Sequence, residues 1–196
     1  MKKKRNFIIL IAIIIFLFVV FLVFYKNMCK ISKSDHNNSS QEIVNDILNI
    51  SSYEAIVEIK IEGNKNRTEY KIKQVYSAPD DNIQEIIEPS NISGIKIKRE
   101  KDKLTLENSA LNLKTIIENY NYISDNKLDL SSFVTDYKND PKAKFKESDE
   151  IILETNYEDK KTLYVDRKTG NPIKMVIEDN SKNNKVYILY NEVKIK

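Results

Sequence analysis

Leu163-Tyr164-Val165-Asp166-Arg167-Lys168-Thr169-Gly170-Asn171-Pro172-Ile173-Lys174-Met175 is the stretch on which the fold turns. Leu163 and Val165 alternate before the turn. Ile173, Met175 and Ile177 alternate with Lys174 and Glu178 after it. A period of two with one apolar side marks a half-buried strand. Asp166 to Gly170 is a hairpin turn whose Gly suits the left-handed position. The link is too short for a crossover helix, so the two strands are antiparallel.

The same grammar extends outward. Ile151, Leu153 and Thr155 alternate with Glu154 upstream, and Asn180 to Asn184 is a turn downstream. Val186, Ile188, Val193 and Ile195 close the chain, with a phase slip near Tyr190-Asn191 that predicts a bulge. In the first half, Tyr53, Ala55, Val57, Ile59 and Ile61 alternate with Glu54, Glu58, Lys60 and Glu62. A return strand carries Tyr70, Ile72, Gln74 and Tyr76. Ala78 to Asn82 breaks the chain before a third run at Ile83, Glu85 and Ile87, stopped by Pro89. Ile95 and Ile97, then Leu104 and Leu106, make two more. Seven or more strands are expected, in one curved antiparallel sheet.

Helical spacing occurs in three places. Ser39 followed by Glu42 has capping-box spacing, and Ile43, Val44, Ile47 and Leu48 share one helical face, giving a helix over about 40–50. Leu130, Phe133, Val134 and Tyr137 predict a helix over about 129–139, with Asp129 placed to cap it. Leu113, Ile116, Ile117 and Tyr120 fit a short helix or a strand. Lys138 to Glu150, polar and carrying Pro141, reads as a surface connection.

The N-terminus has another chemistry. Phe7 to Phe24 is 18 apolar residues without a charge, Gly or Pro, preceded by Lys2, Lys3, Lys4 and Arg5. As a helix it would span about 27 Å, close to a bilayer's hydrocarbon core. The basic flank stays in the cytoplasm, so residues beyond the span are exported. An uncleaved signal anchor is the first reading. Cys29 is a candidate lipid-attachment residue by position, although Lys26, Asn27 and Met28 depart from the usual Leu-small-small approach. Residues 1–29 are thus the signal or anchor, 30–39 a polar tether, and 40–196 the exported domain. Either anchoring route holds that domain on the extracytoplasmic side of the cell membrane.

Composition excludes several functions. Residues 1–30 hold six cations and no acid, leaving 26 Lys and Arg against 29 Asp and Glu in the rest, a net of −3. A slightly acidic domain argues against nucleic-acid binding. One Cys and one His cannot make an internal disulfide or a Cys/His zinc site, and three Gly leave no phosphate loop. His36, the one candidate base for a nucleophile, lies in the tether. Glu54, Glu58, Glu62, Glu85, Glu154 and Glu178 read as solvated strand faces. Tyr120 and Tyr122 read as core or interface aromatics in preference to a sugar-stacking pair. The reading is no catalytic residue, no metal site and no cofactor.

Two stretches carry a family resemblance. Tyr76-Ser77-Ala78-Pro79-Asp80 resembles the second-hairpin turn of the LolA-like family, the fold of outer-membrane lipoprotein carriers. Leu163 to Met175 is similar to that family's later hairpin. The resemblance spans about 40–196 and implies an α+β fold, a half-barrel sheet with a few short helices on its concave face. Carriers usually place an Arg soon after the Pro of the second hairpin, where this chain has Asp81, Asn82, Ile83 and Gln84. Anchored and without that Arg, the chain most resembles the germination lipoprotein GerS group. That resemblance implies a non-enzymatic exported protein that binds a zinc-dependent cell-wall amidase of the spore cortex and supports germination. Two other readings stay open, an anchored lipid or lipoprotein carrier and an envelope-stress sensor. A packed interior favours the interaction reading and an open apolar groove favours the carrier. Open sheet edges also admit a homodimer.

Overall fold

The computed structural model describes residues 39–63, 67–79, 81–100, 103–118, 127–179 and 184–195. The readings placed on Phe7–Phe24, Cys29, His36, Tyr120 and Tyr122 lie outside the described residues. Among the described residues no helix is long and apolar enough to cross a membrane.

Helix α1 (Ser40–Leu48) opens with the expected capping box. Ser39 Oγ accepts from the Glu42 amide at 3.3 Å, and Glu42 Oε2 accepts from the Ser39 amide at 2.9 Å. Its Ile43, Val44 and Ile47 are buried. Six strands follow, β1 (Ser52–Glu62), β2 (Arg67–Ser77), β3 (Asp81–Glu88), β4 (Ile95–Glu100), β5 (Lys103–Asn108) and β6 (Leu113–Ile117). Helix α2 (Leu130–Asn139) precedes β7 (Lys144–Glu147), β8 (Glu150–Thr155), β9 (Lys160–Asp166), β10 (Pro172–Asp179) and β11 (Asn184–Ile195).

All eleven strands form one unclosed antiparallel sheet, in the order β6-β5-β4-β3-β2-β1-β11-β10-β9-β8-β7. Two meanders are joined along β1 and β11. The expected bulge is there. Ile56 opposes Glu192 while Val57 opposes Tyr190, so Asn191 is the extra residue. In the β9–β10 turn, Gly170 has φ of 71°. Asp166 Oδ1 accepts from the Lys168 and Thr169 amides at 2.8 and 2.7 Å, and these bonds hold its carboxyl below the usual range.

The core lies between one face of the sheet and the two helices. Val57, Ile151, Leu153, Leu163, Val165, Met175 and Ile188 meet Leu130 and Phe133 from α2, all fully buried. Each such side chain contributes roughly 1.5–3 kcal/mol by leaving water. This is the large curved sheet with helices that the LolA-like resemblance implies, with two α-helices among the described residues.

Two segments needed the structure. Residues 113–117 are a strand, and every one of its side chains is exposed, so it lacks the one-sided burial that produces a period of two. Part of 138–150, read as a connection, is the edge strand β7, also exposed throughout. Its backbone pairs with β8, which leaves no hydrophobic signature.

Candidate functional site: a buried polar cluster beside an open cleft

On the face that carries the helices, polar side chains stand in register across four strands. Tyr53 on β1 opposes Tyr76 on β2, Gln74 opposes Gln84 on β3, and Asn82 opposes Arg99 on β4. The residue entering α2, Asp129, points into this row and is fully buried. Asn82 Nδ2 donates to Asp129 Oδ2, and Gln84 Nε2 donates to Oδ1 at 2.7 Å. Beside it, Gln74 Nε2 donates to the Leu128 carbonyl at 3.2 Å, and the Leu130 amide donates to Tyr53 Oη at 3.3 Å. Residues 128–130 are therefore tied to β1, β2 and β3 at once.

Burial dominates the electrostatics. It pushes the Asp129 carboxyl up to about 7, against the opposing pull of Gln84, Arg99, Asn82 and Lys161. Tyr53 and Tyr190 are raised by burial first and by the nearby Asp129 charge second. A second buried contact lies farther along α2. Lys161 on β9, fully buried, sits 2.6 Å from Asp136 and donates to Ser132 Oγ at 2.8 Å. At the helix end, Asp140 Oδ2 accepts from Thr155 Oγ1 at 3.0 Å and the Asn156 amide at 2.8 Å. Polar contacts thus fix α2 at its start, middle and end.

Asp129, Gln74 and Lys161 are sealed from solvent. A general acid or nucleophile has to reach a substrate atom, and Asp129, Gln74 and Lys161 reach none. Their chemistry is positional. Solvent enters instead at a cleft of about 370 Å³ between the end of α1 and the start of α2. Leu48, Ile50, Tyr76 and Val134 line it together with Asn49, Thr135 and Lys138. Leu130, which also lines the cleft, and Phe133, one turn farther along α2, are fully buried.

Asp129 occupies the N-cap position of α2, as its place in the sequence suggested. Its side chain makes no capping bond and turns to β3 instead. Asn82 and Gln84, in the stretch where carriers place an Arg, are the donors that hold it. The strand-face acids do lie toward solvent, in ion pairs such as Glu54 with Lys73 at 2.7 Å and Glu178 with Lys160 at 2.8 Å. Sequence reasoning missed the Lys161–Asp136 pair. The available signal was Lys161 standing in phase with Leu163 and Val165 on β9. Among the described residues no cluster of three His, Cys, Asp or Glu could hold a metal ion.

Several solved structures are similar to this chain. A LolA superfamily protein of Nitrosomonas europaea is 14% identical, with a TM-score of 0.43 over 81% of this chain and 94% of that one. A conserved protein of Thermus thermophilus is 12% identical, with a TM-score of 0.49 over 81% and 88%. A chain of the complex between the CwlD amidase and the GerS lipoprotein of Clostridioides difficile is 22% identical, with a TM-score of 0.42 over 84% and 96%. No curated protein matches the sequence. Residues 4–196 match the family described as "Sporulation protein YdcC-like". The chain therefore belongs to the YdcC-like family of sporulation proteins.

Proposed function

We propose that this protein is a non-enzymatic exported protein of sporulation, held at the membrane through residues 1–29, that binds a cell-wall amidase of the spore cortex. Family membership supplies the sporulation setting. The observation that carries the binding reading is the packed interior. Phe133, Leu130, Met175 and Ile188 fill the space between helices and sheet, where a carrier would need an open apolar groove. The polar ties along α2 lock that packing in place. Such a domain offers a partner its surface and its sheet edges. The resemblance to the GerS group supports a zinc-dependent amidase as the partner class.

One observation favours the carrier alternative, the cleft of about 370 Å³. Its volume sits at the low end for small-molecule sites, and polar residues such as Lys138 and Thr135 share its lining with apolar ones. The test is to purify the full chain from sporulating cells and identify what accompanies it by mass spectrometry. A cell-wall amidase is the expected partner. Stoichiometric lipid without an amidase would transfer the function to the carrier reading.

A further inference from the structure

The two edges of the sheet are built differently. Strand β7 is four residues long, three of them charged, and two of those charges are paired, Lys146 with Glu154 at 3.0 Å and Glu147 with Arg167 at 2.5 Å. A short charged edge discourages added strands. Strand β6 reads Leu-Lys-Thr-Ile-Ile and runs into Glu118. It contains no Pro or Gly, and among the described residues it pairs with β5 alone. Leu113, Ile116 and Ile117 are 60%, 45% and 38% exposed. Leu106 on β5, opposite Thr115, is exposed as well. An apolar edge that no described strand covers marks an interaction surface.

We propose that β6 pairs antiparallel with β6 of a second copy of this chain, about a twofold axis through Ile116. Charge complementarity identifies the occupant. In that register Ile116 opposes Ile116, and Lys114 of each copy opposes Glu118 of the other, giving two cross-strand ion pairs and one apolar pair on the same face. On the other face Thr115 opposes Ile117. The register centred on Thr115 sets Lys114 against Ile116 and leaves Glu118 without its cation, so charge selects the first. The two sheets become continuous, while both β7 edges and both clefts stay open. The inference stands apart from the amidase reading, because the dimer leaves those surfaces free.

The experiment uses the full chain solubilised in mild detergent. With Cys29→Ser removing the native thiol, Ile116→Cys should form a disulfide dimer under mild oxidation, since residues facing each other across paired strands lie within disulfide reach. Thr115→Cys should form far less. In the wild-type background, sedimentation should show a concentration-dependent dimer. Lys114→Glu or Glu118→Lys alone should raise its dissociation constant about fivefold, through loss of two cross-strand pairs. The combined reversal should return it to within about twofold of wild type. A wild-type chain that stays monomeric across the concentration series overturns the proposal, as does failure of the combined reversal to restore what the single changes lose. If Ile116→Cys crosslinks to a different protein in place of itself, the second copy is not the occupant. The charge series needs no change at Cys29, so it decides the matter even if the Cys29→Ser background accumulates poorly.

Discussion

Asp129→Asn should make this protein more stable at neutral pH, although it removes a carboxylate that accepts two hydrogen bonds. Asp129 is fully buried, and burial lifts its carboxyl from an ordinary value of 3.8 to about 7. The sign follows from linkage. Between those two values the unfolded chain has lost the proton while the folded chain keeps it, so stability falls as pH rises through that window. The window is about three units wide, and each unit is worth about 1.4 kcal/mol, so the loss approaches roughly 4 kcal/mol by pH 7 and then levels off. Asn cannot ionise and escapes that loss. It offers one oxygen to Asn82 and Gln84 in place of two, so one contact must be remade by an amide flip, costing about 1 kcal/mol. The variant should therefore be near wild type or slightly weaker at pH 4.5. At pH 8 it should be more stable by about 2–3 kcal/mol. Urea unfolding of both proteins across pH 4.5–8 gives the difference, in which all other titrations cancel. Parallel stability profiles would refute the reasoning, because they would mean that Asp129 titrates alike in the folded and unfolded chains.

Lys161→Met should cost about 3–5 kcal/mol by leaving Asp136 charged and unpaired in the core, and adding Asp136→Leu should recover most of it, as denaturant midpoints would show. If residues 1–29 anchor the chain as proposed, protease added to intact protoplasts should digest residues 40–196, whereas a fully protected domain would reverse the orientation. Cys29→Ala should leave the protein in the membrane fraction if Phe7–Phe24 is an uncleaved anchor, and release of that variant would assign the anchoring to lipid on Cys29.

How much of the molecule was legible depends on what each residue's neighbours see. Strands β1, β8, β9 and β10 bury one face against the helices, so Tyr53 to Ile59 and Leu163 to Ile177 announce themselves by alternation. The bulge at Asn191 was visible for the same reason, as a break in that rhythm. Strands β6 and β7 expose both faces, so the sequence left 113–120 between a short helix and a strand and read the stretch holding β7 as a connection. The polar cluster was hidden differently. Asp129 is 47 and 45 residues from Asn82 and Gln84, so its burial is a property of the assembled sheet and of no local window. An acid between Leu128 and Leu130 at a helix start reads as a cap, and only tertiary contact turns its side chain inward. Gln74 and Lys161 did carry a trace, each a polar residue standing in the apolar phase of its strand.

The central claim, that a packed exported domain acts by binding an amidase, is tested most directly on the amidase itself. A partner that binds only the folded, metal-loaded enzyme stabilises it by mass action, by about 2.7 kcal/mol at a hundredfold excess over the dissociation constant. The measurement is the amidase's thermal midpoint, with its retained zinc, in the absence and presence of the solubilised full chain. The account predicts a rise in both that saturates with added protein. An amidase whose midpoint and zinc content do not move at any concentration of this protein would contradict it.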